Sequence, residues 1–163
     1  MYDGIINVYK EKGYTSFDVV AKMRGILGQK KVGHTGTLDP EAEGVLPVCA
    51  GKGTKLCDML TDHDKTYRAT LLLGTDTDTQ DTTGTVLAQK STEGLSEEAV
   101  REAILSFIGN YDQIPPMYSA LKVNGRKLCD LAREGIVVER KARPVTIYDI
   151  RIEEICLPEI VMT

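Results

Sequence analysis

Residues 33–48 have the sequence Gly-His-Thr-Gly-Thr-Leu-Asp-Pro-Glu-Ala-Glu-Gly-Val-Leu-Pro-Val. From Gln29 to Gly44 the apolar residues follow neither a helical nor a strand repeat, so this segment is predicted to be a loop. A loop of about 16 residues is uncommon in a compact domain unless it has a function. Pro40 disfavours the α conformation at Asp39. By itself this pattern fits either a turn-forming aspartate or a carboxylate held for chemistry.

Regular elements are predicted on both sides of this loop. Residues 5–9 predict a strand, and a helix with Phe17 in its apolar repeat follows a Ser16 cap and ends at Gly28. Beyond the loop, the patterns predict strands at 45–50, 66–74, 85–89 and 145–155 and helices at 54–60, 96–109 and 126–134. Interspersed helices and more numerous strands favour an α+β fold, with a mixed, largely antiparallel sheet flanked by helices. The length of 163 residues predicts a single domain, 1–163.

The composition excludes several classes of protein. Hydrophobic residues make up 42% and charged residues 27% of the chain, which is typical of globular rather than disordered proteins. No run of about 18 apolar residues and no secretory leader pattern occurs, so we expect a cytoplasmic protein without membrane contact. The four cysteines form no C-x-x-C pair, and only two histidines could join them, so we predict reduced cysteines and no metal site.

The net charge of −4 argues against nucleic-acid binding by bulk charge, so any basic surface must be local. Residues 122–143 contain seven basic and three acidic side chains, a local charge of +4. On charge alone, this segment is equally compatible with a solvated basic face and with a phosphate-binding one.

Residues 33–48 resemble the TruB family signature of pseudouridine synthases, G-H-T-G-T-L-D-P-x-A-x-G-V-L-P-V, at every fixed position. Four further blocks resemble family blocks in the family's order: Lys-Gly-Tyr-Thr-Ser at 12–16, Asp-Lys-Thr-Tyr at 64–67, Thr-Asp-Thr-Gln-Asp at 77–81 with Gly84, and Pro-Pro-Met-Tyr-Ser-Ala-Leu-Lys at 115–122. The resemblance spans nearly the whole chain. It implies the pseudouridine synthase fold.

The resemblance also implies a reaction, with Asp39 as its catalytic residue. The reaction is the isomerisation of the T-loop uridine of tRNA, conventionally numbered 55, to pseudouridine. A carboxylate could attack the anomeric carbon of the sugar or remove a nearby sugar proton, and the sequence leaves both routes open. No group is imported and no redox change occurs, so no cofactor is expected. The expected partner is the T stem-loop of tRNA, bound by a monomer.

Further site residues are implied in the same way. A base inside a folded loop must be extruded before it can react. His34 would contact or replace the displaced base, and Tyr67, at the start of a strand, would stack on the flipped uracil. Outside such motifs, a lone histidine or tyrosine is more often structural. Residues at about 111–143 would form the family's RNA-gripping insertion. Additional substrate-binding residues would be Gly36, Thr37 and Leu38, and RNA-binding residues would be Lys12, Lys30, Lys31, Lys122, Arg126 and Lys127.

One family signature is absent from the 163 residues, a Lys-Gly-Thr-Tyr-Ile-Arg strand whose arginine pairs with the catalytic carboxylate. The family's C-terminal RNA-binding extension is absent as well, so we expect a chain truncated at its C-terminus. Without that arginine, Asp39 would lack a neighbouring positive charge. Two alternatives therefore stay open: a chain that binds or remodels tRNA without catalysis, and a relative of the guide-RNA-dependent synthases that acts within a ribonucleoprotein.

Overall fold

The structure, a computed structural model, describes residues 1–119 and 121–163. These residues form two compact units, Met1–Lys65 and Thr66–Thr163. Every strand pair in the described residues is antiparallel, and helices are interspersed among the strands, which confirms the predicted α+β class. The strands are divided among five small sheets of two or three strands. The single-domain organisation and the insertion at about 111–143 stay predictions.

The first unit consists of a small sheet covered by one long helix. Its elements are β1 (Gly4–Lys10), α1 (Ser16–Leu27), β2 (Val32–His34), β3 (Gly44–Ala50), a 3₁₀ helix (Gly51–Leu56) and α2 (Cys57–Thr61). The sheet order is β1-β3-β2, and all seven residues of β1 pair with β3. The core lies where α1 packs on the sheet, and its buried residues are Val19, Val20, Val32, Leu46 and Val48.

The start of α1 differs from the prediction, because Thr15 rather than Ser16 is the N-cap. The Thr15 hydroxyl accepts the Asp18 N–H at 3.1 Å, and the Asp18 carboxylate accepts the Thr15 N–H at 2.9 Å. This reciprocal capping box leaves the Ser16 hydroxyl available for another contact. The helix ends at Gly28, as predicted, where a φ of +61° gives the left-handed cap that favours glycine.

The predicted loop at 29–44 contains a short strand that the sequence pattern did not predict. The three residues of β2 pair with β3, so that Gly33 lies opposite Cys49 and His34 opposite Val48. Three residues are too few to establish an alternating repeat. The segment without regular structure is therefore shorter than predicted, running from residue 35 to residue 43.

The second unit combines a three-stranded sheet with three strand pairs. Its elements are β4 (Ala69–Leu72), β5 (Thr75–Thr77), β6 (Val86–Gln89), α3 (Glu97–Leu105), β7 (Gly109–Gln113), β8 (Lys122–Val123), β9 (Arg126–Lys127), α4 (Leu128–Arg133), β10 (Arg143–Ile147), β11 (Ile152–Cys156) and β12 (Glu159–Met162). The larger sheet has the order β11-β12-β4, and the pairs are β5-β6, β10-β7 and β8-β9. Ile160 of β12 is fully buried and packs with Val100 and Ile104 of α3.

Several predicted boundaries change in this unit, and the helix predicted at 96–109 is reduced to α3, which ends at Leu105. The strand predicted at 66–74 is reduced to β4, so Tyr67 precedes the strand rather than beginning it. The helix predicted from Arg126 begins at Leu128, because β9 pairs with β8 across a turn at Asn124 and Gly125, both with positive φ. The strand predicted at 145–155 is interrupted, because β10 pairs with β7 whereas β11 pairs with β12.

Glu153 of β11 contacts Arg68 and Thr163, which are distant from it in the chain or at its end. These contacts predict that the stability of the second unit falls at acidic pH. Its carboxylate accepts a hydrogen bond from the Thr163 hydroxyl at 2.6 Å and pairs with Arg68 at 2.7 Å, which lowers the pKa of Glu153 from 4.5 to about 2. Because the folded pKa lies below the unfolded one, this stabilisation is complete above pH 4.5 and is lost as the pH falls toward 2. We expect Glu153→Gln to flatten the decline of the free energy of unfolding over that range.

Urea denaturation at several pH values measures this effect, with the exposed neighbour Glu154→Gln as the charge-matched control. An equally steep decline in Glu153→Gln and in the parent chain would contradict the assignment.

None of the helices within residues 1–119 and 121–163 has the length and apolar character needed to cross a lipid bilayer.

Candidate active site

Asp39 is exposed in the segment between β2 and β3. The residue that follows it is held from outside the segment, since the Gly13 N–H donates to the Pro40 carbonyl at 2.8 Å. Within the segment, the Ala42 N–H donates to the Asp39 carbonyl at 3.0 Å and closes a turn. The carboxylate is therefore presented to solvent from a backbone that is fixed immediately after it, as a catalytic group requires.

The residue before Asp39 is held as well. The Leu38 N–H donates to the Ser16 hydroxyl oxygen at 2.9 Å, and that hydroxyl donates back to the Leu38 carbonyl at 3.3 Å. The Leu38 side chain packs against the core of the first unit. Among the other predicted substrate-binding residues, Thr37 is exposed and Gly36 is half-buried. Leu38 thus anchors the segment, while the substrate contacts of these three residues stay predictions.

The Asp39 carboxylate has no side-chain partner in the described residues. The four ion pairs found there all lie in the second unit, and the hydrogen bonds include none to this carboxylate. Within the described first unit, Met1–Lys65, no arginine pairs with this carboxylate as the family resemblance implies. The site in this unit supplies an exposed acid without a neighbouring fixed cation.

His34 lies at the end of β2 and lines an open cleft of about 540 Å³. Its Nδ1 is buried and has no hydrogen-bond partner among the described atoms. Arg24, Lys30 and Lys31 line the same cleft, and no carboxylate does, so the cleft is positively charged. The structure thus brings His34 together with two of the predicted RNA-binding lysines, whereas Asp39 is not among the lining residues.

Sequence reasoning missed Phe17 and Arg24 on this cleft. Phe17 is 61% exposed, and the Arg24 guanidinium lies 5.6 Å from the centre of its ring. Arg24 also donates to the Val32 carbonyl at 3.2 Å, which links α1 to β2 beside His34. The predicted repeat placed Phe17 in the core together with Val20, but the buried residues of α1 are Ser16, Val19 and Val20, so Phe17 lies to one side of the buried face.

Two thiols lie close to this cleft. The pKa of the Cys49 thiol is raised to about 11, mainly because the thiol is buried and to a lesser degree because it is hydrogen-bonded with Cys57. Cys49 therefore stays protonated near neutral pH and is not a nucleophile. Cys57 lines the cleft and is half-buried.

The predicted RNA-binding residues of the second unit lie together on the β8–β9 hairpin. Lys122 and Lys127 are directly opposite each other, so their side chains project from the same face. Together with Arg126 they line an open depression of about 660 Å³. Arg126 is ion-paired with Glu134, which lowers the pKa of that carboxyl. Neither lysine has an ion-pair partner in the described part of the chain, so the lysines are the more available cations.

Lys12 and Tyr67 complete the predicted site residues. Lys12 is exposed in the turn next to Gly13, which holds the Asp39 segment. Tyr67 lies in the second unit, two residues before β4, and is 61% exposed. An exposed aromatic ring is available for stacking. The role of Lys12 in RNA binding and the role of Tyr67 in stacking stay predictions.

Comparisons with known proteins agree with the sequence signature. The model of the TruB family pseudouridylate synthase N-terminal domain matches residues 24–163. The tRNA pseudouridine synthase B of Lachnoclostridium phytofermentans is 65% identical over 150 residues, covering 92% of this chain and 48% of that protein. The tRNA pseudouridine synthase B of Clostridium perfringens strain SM101 is 55% identical over 148 residues, covering 91% of this chain and 50% of that protein.

Solved structures agree as well. A chain in the crystal structure of a Cbf5-Nop10-Gar1 complex is 30% identical, with a TM-score of 0.71, over 98% of this chain and 38% of that chain. This similarity confirms the predicted pseudouridine synthase fold. The chain spans about half the length of the curated relatives it matches. From the family model and these relatives together, the chain belongs to the TruB family of pseudouridylate synthases.

Proposed function

We propose that this chain isomerises the uridine at position 55, in the T loop of tRNA, to pseudouridine, with Asp39 as the catalytic carboxylate. The observation that supports the proposal most is the presentation of Asp39. It is exposed, it lies within the family signature, and hydrogen bonds hold the backbone on both sides of it. Membership of the TruB family and relatives named tRNA pseudouridine synthase B support the choice of reaction.

The reaction needs no imported atom. The bond from N1 of uracil to C1′ breaks, the base turns, and a bond from C5 to C1′ forms. The hydrogen on C5 leaves to solvent, and N1 gains a proton. Asp39 would either attack C1′ and be displaced when the C5 bond forms, or remove a sugar proton and return it. No cofactor takes part in either route.

A base in the T loop must be extruded before Asp39 can reach its sugar. His34 would contact or replace the displaced base, since it lies at the edge of a positively charged cleft with an unpartnered buried Nδ1 among the described atoms. Tyr67 would stack on the extruded uracil, for which its exposed ring is suited. Gly36, Thr37 and Leu38 would contact the substrate around Asp39.

The T stem-loop of tRNA would be bound by basic residues from both units. Lys12, Lys30 and Lys31 would contact phosphates near the Asp39 segment, and Lys122, Arg126 and Lys127 would do so from the β8–β9 hairpin. Phosphate contacts of this kind provide salt-sensitive affinity, while the extruded base and the loop shape provide selectivity. The protein would act as a monomer in the cytoplasm.

The position of Lys122 opposite Lys127 predicts how the affinity for tRNA depends on the salt concentration. Replacing Lys122 and Lys127 with glutamine should weaken tRNA binding and reduce the slope of log affinity against log salt by about two, one for each lost phosphate contact. Fluorescence anisotropy of labelled tRNA between about 50 and about 200 mM salt measures this slope. Glu134→Gln is the opposite-sign control, because it releases Arg126 from its ion pair and should tighten binding. An unchanged slope in the double variant would exclude the phosphate role.

The Asp39 carboxylate has no ion-pair partner among the described residues of the first unit, which favours one alternative, a protein that binds or remodels tRNA without isomerising it. The similarity to a chain of the Cbf5-Nop10-Gar1 complex favours another, a synthase that requires a guide RNA. Tritium release from tRNA labelled at C5 of uridine separates the three functions. Release by the chain alone, abolished in Asp39→Asn, supports the proposal. Background release with retained tRNA binding supports the first alternative, and release only with added guide RNA supports the second.

A further inference from the structure

Two free thiols of the first unit lie beside each other, and the proposed function gives neither of them a role. Cys49 lies toward the end of β3 and is completely buried. Cys57 is the first residue of α2, is half-buried and lines the cleft that contains His34. The 3₁₀ helix Gly51–Leu56 connects the two. A buried thiol next to an accessible one is an arrangement in which a disulfide can form.

Gly33 of β2 is the point at which the two sulfur atoms approach the sheet. Gly33 pairs with Cys49, so the side-chain directions at these two positions lie on one face of the sheet. The neighbouring Val32 and Val48 pack with α1, so this is the face opposite α1. A Cβ atom at Gly33 would lie 3.3 Å from the Cys57 Sγ. Cys57 therefore occupies space that the missing side chain leaves open, next to Cys49.

The thiols also contact each other, because Cys49 is hydrogen-bonded with Cys57. None of the residues of α2 is buried, so Cys57 can move toward Cys49 without disrupting core packing. Cys49 cannot move in the same way, since β3 is paired on both sides, with β1 and with β2. Closure of a disulfide would therefore displace the start of α2 rather than the sheet.

We propose that Cys49 and Cys57 form a reversible disulfide within the chain when it meets a low-molecular-weight disulfide such as oxidised glutathione, and that closure moves the wall of the cleft beside His34. Cys57 reacts first, because it lines the cleft whereas Cys49 is closed to solvent. The inference concerns no step of the isomerisation at Asp39, so it stands apart from the proposed function.

The exchange balances without a further reactant. The Cys57 thiolate attacks one sulfur of oxidised glutathione, releases a glutathione thiolate and becomes a mixed disulfide. The small thiolate fraction of Cys49 then attacks the Cys57 sulfur and releases the second glutathione thiolate. The two cysteine sulfurs lose the electron pair that oxidised glutathione gains, and the thiol protons pass to the glutathione thiolates. Because burial raises the pKa of Cys49 to about 11, the second exchange is the slower one.

Tryptic digestion followed by mass spectrometry tests the pairing, since trypsin cuts between the two cysteines, at Lys52 and Lys55. In folded, monomeric chain treated with oxidised glutathione, the peptides 32–52 and 56–65 should be joined, and dithiothreitol should separate them. Cys57→Ser should give no joined peptide and leave Cys49 reduced. Cys129→Ser is the matched control, because Cys129 is a half-buried cysteine of the second unit, and it should give as much joined peptide as the parent. A parent that carries glutathione on Cys57 while Cys49 stays free would overturn the proposal.

An equilibrium measurement on the parent chain distinguishes a pairing made by the fold from chance closure in a flexible chain. In mixtures of reduced and oxidised glutathione, the equilibrium constant for closure should be about tenfold larger or more in the folded chain than in urea, because the fold holds the two sulfurs side by side. An equal or smaller constant in the folded chain would mean that the native geometry opposes the bond, and would overturn the proposal.

Backbone NMR tests the effect of closure on the cleft. Oxidation should shift the amide resonances of Gly33 and His34 and leave those of α3, in the second unit, unchanged. Unshifted Gly33 and His34 resonances in fully closed chain would refute the link to the cleft. None of these measurements requires turnover or tRNA, so a chain without isomerase activity would refute the proposed function and leave this inference to be decided by the thiols.

Discussion

Replacing Asp39 with asparagine is expected to lower turnover of T-loop uridine roughly a thousandfold or more, while leaving tRNA affinity nearly unchanged. Asparagine has almost the same shape, and the hydrogen bonds that hold the segment involve the backbone of Leu38, Pro40 and Ala42 rather than the Asp39 side chain. The substitution therefore removes the charge and basicity of the carboxylate without disturbing its support. Single-turnover tritium release measures the rate, and anisotropy measures the affinity.

Glu41→Gln is the matched control for that experiment. Glu41 is an exposed carboxylate two residues away in the same segment, and it occupies a variable position of the family signature. Its replacement changes the local charge by the same amount and should leave turnover within a small factor of the parent. Equal losses in both variants would mean that general electrostatics, and not Asp39 itself, accounts for the effect.

Tyr67→Ala is expected to lower turnover about tenfold to a hundredfold with only a modest loss of tRNA affinity, because stacking on an extruded base contributes at the reacting nucleotide. The ring is 61% exposed, so its removal leaves no cavity in the core of the second unit. Single-turnover rates with excess protein, combined with binding curves, separate the two quantities.

Tyr148→Ala is the control for Tyr67→Ala, since Tyr148 is another exposed tyrosine of the second unit, at 72%, and lies outside the family motifs. Its replacement should leave both rate and affinity unchanged. Tyr67→Phe keeps the ring and removes the hydroxyl, so it distinguishes stacking from a role of the phenol in proton transfer. Full turnover in Tyr67→Ala would contradict any role for this ring.

The loop around Asp39 was predictable because its information is local. Pro40 restricts the conformation of Asp39 whatever the rest of the chain does, and the family signature is contiguous. The contact that Lys10 makes with this loop was not predictable, because its ammonium donates to the carbonyl of Pro40, which is 30 residues away in the chain.

Features that depend on long-range pairing were predicted less well. β2 has three residues and owes its existence to pairing with β3, which leaves no repeat in the sequence. The strand predicted at 145–155 was wrong as one element because its halves pair with different strands. Phe17 was assigned to the core because the predicted repeat and the buried face of α1 share Val20, and only packing on the sheet buries Val19 and leaves Phe17 exposed.

In the proposed function, an exposed Asp39 whose backbone is held on both sides lets this chain form pseudouridine in the T loop. The most direct test maps pseudouridine at single-nucleotide resolution, by carbodiimide-dependent stops of reverse transcription, on a tRNA transcript incubated with excess chain. A stop at the T-loop uridine after incubation with the parent, and none with tRNA-bound Asp39→Asn, is the predicted result. A parent chain that binds the transcript and produces no such stop would exclude the proposed isomerisation by Asp39.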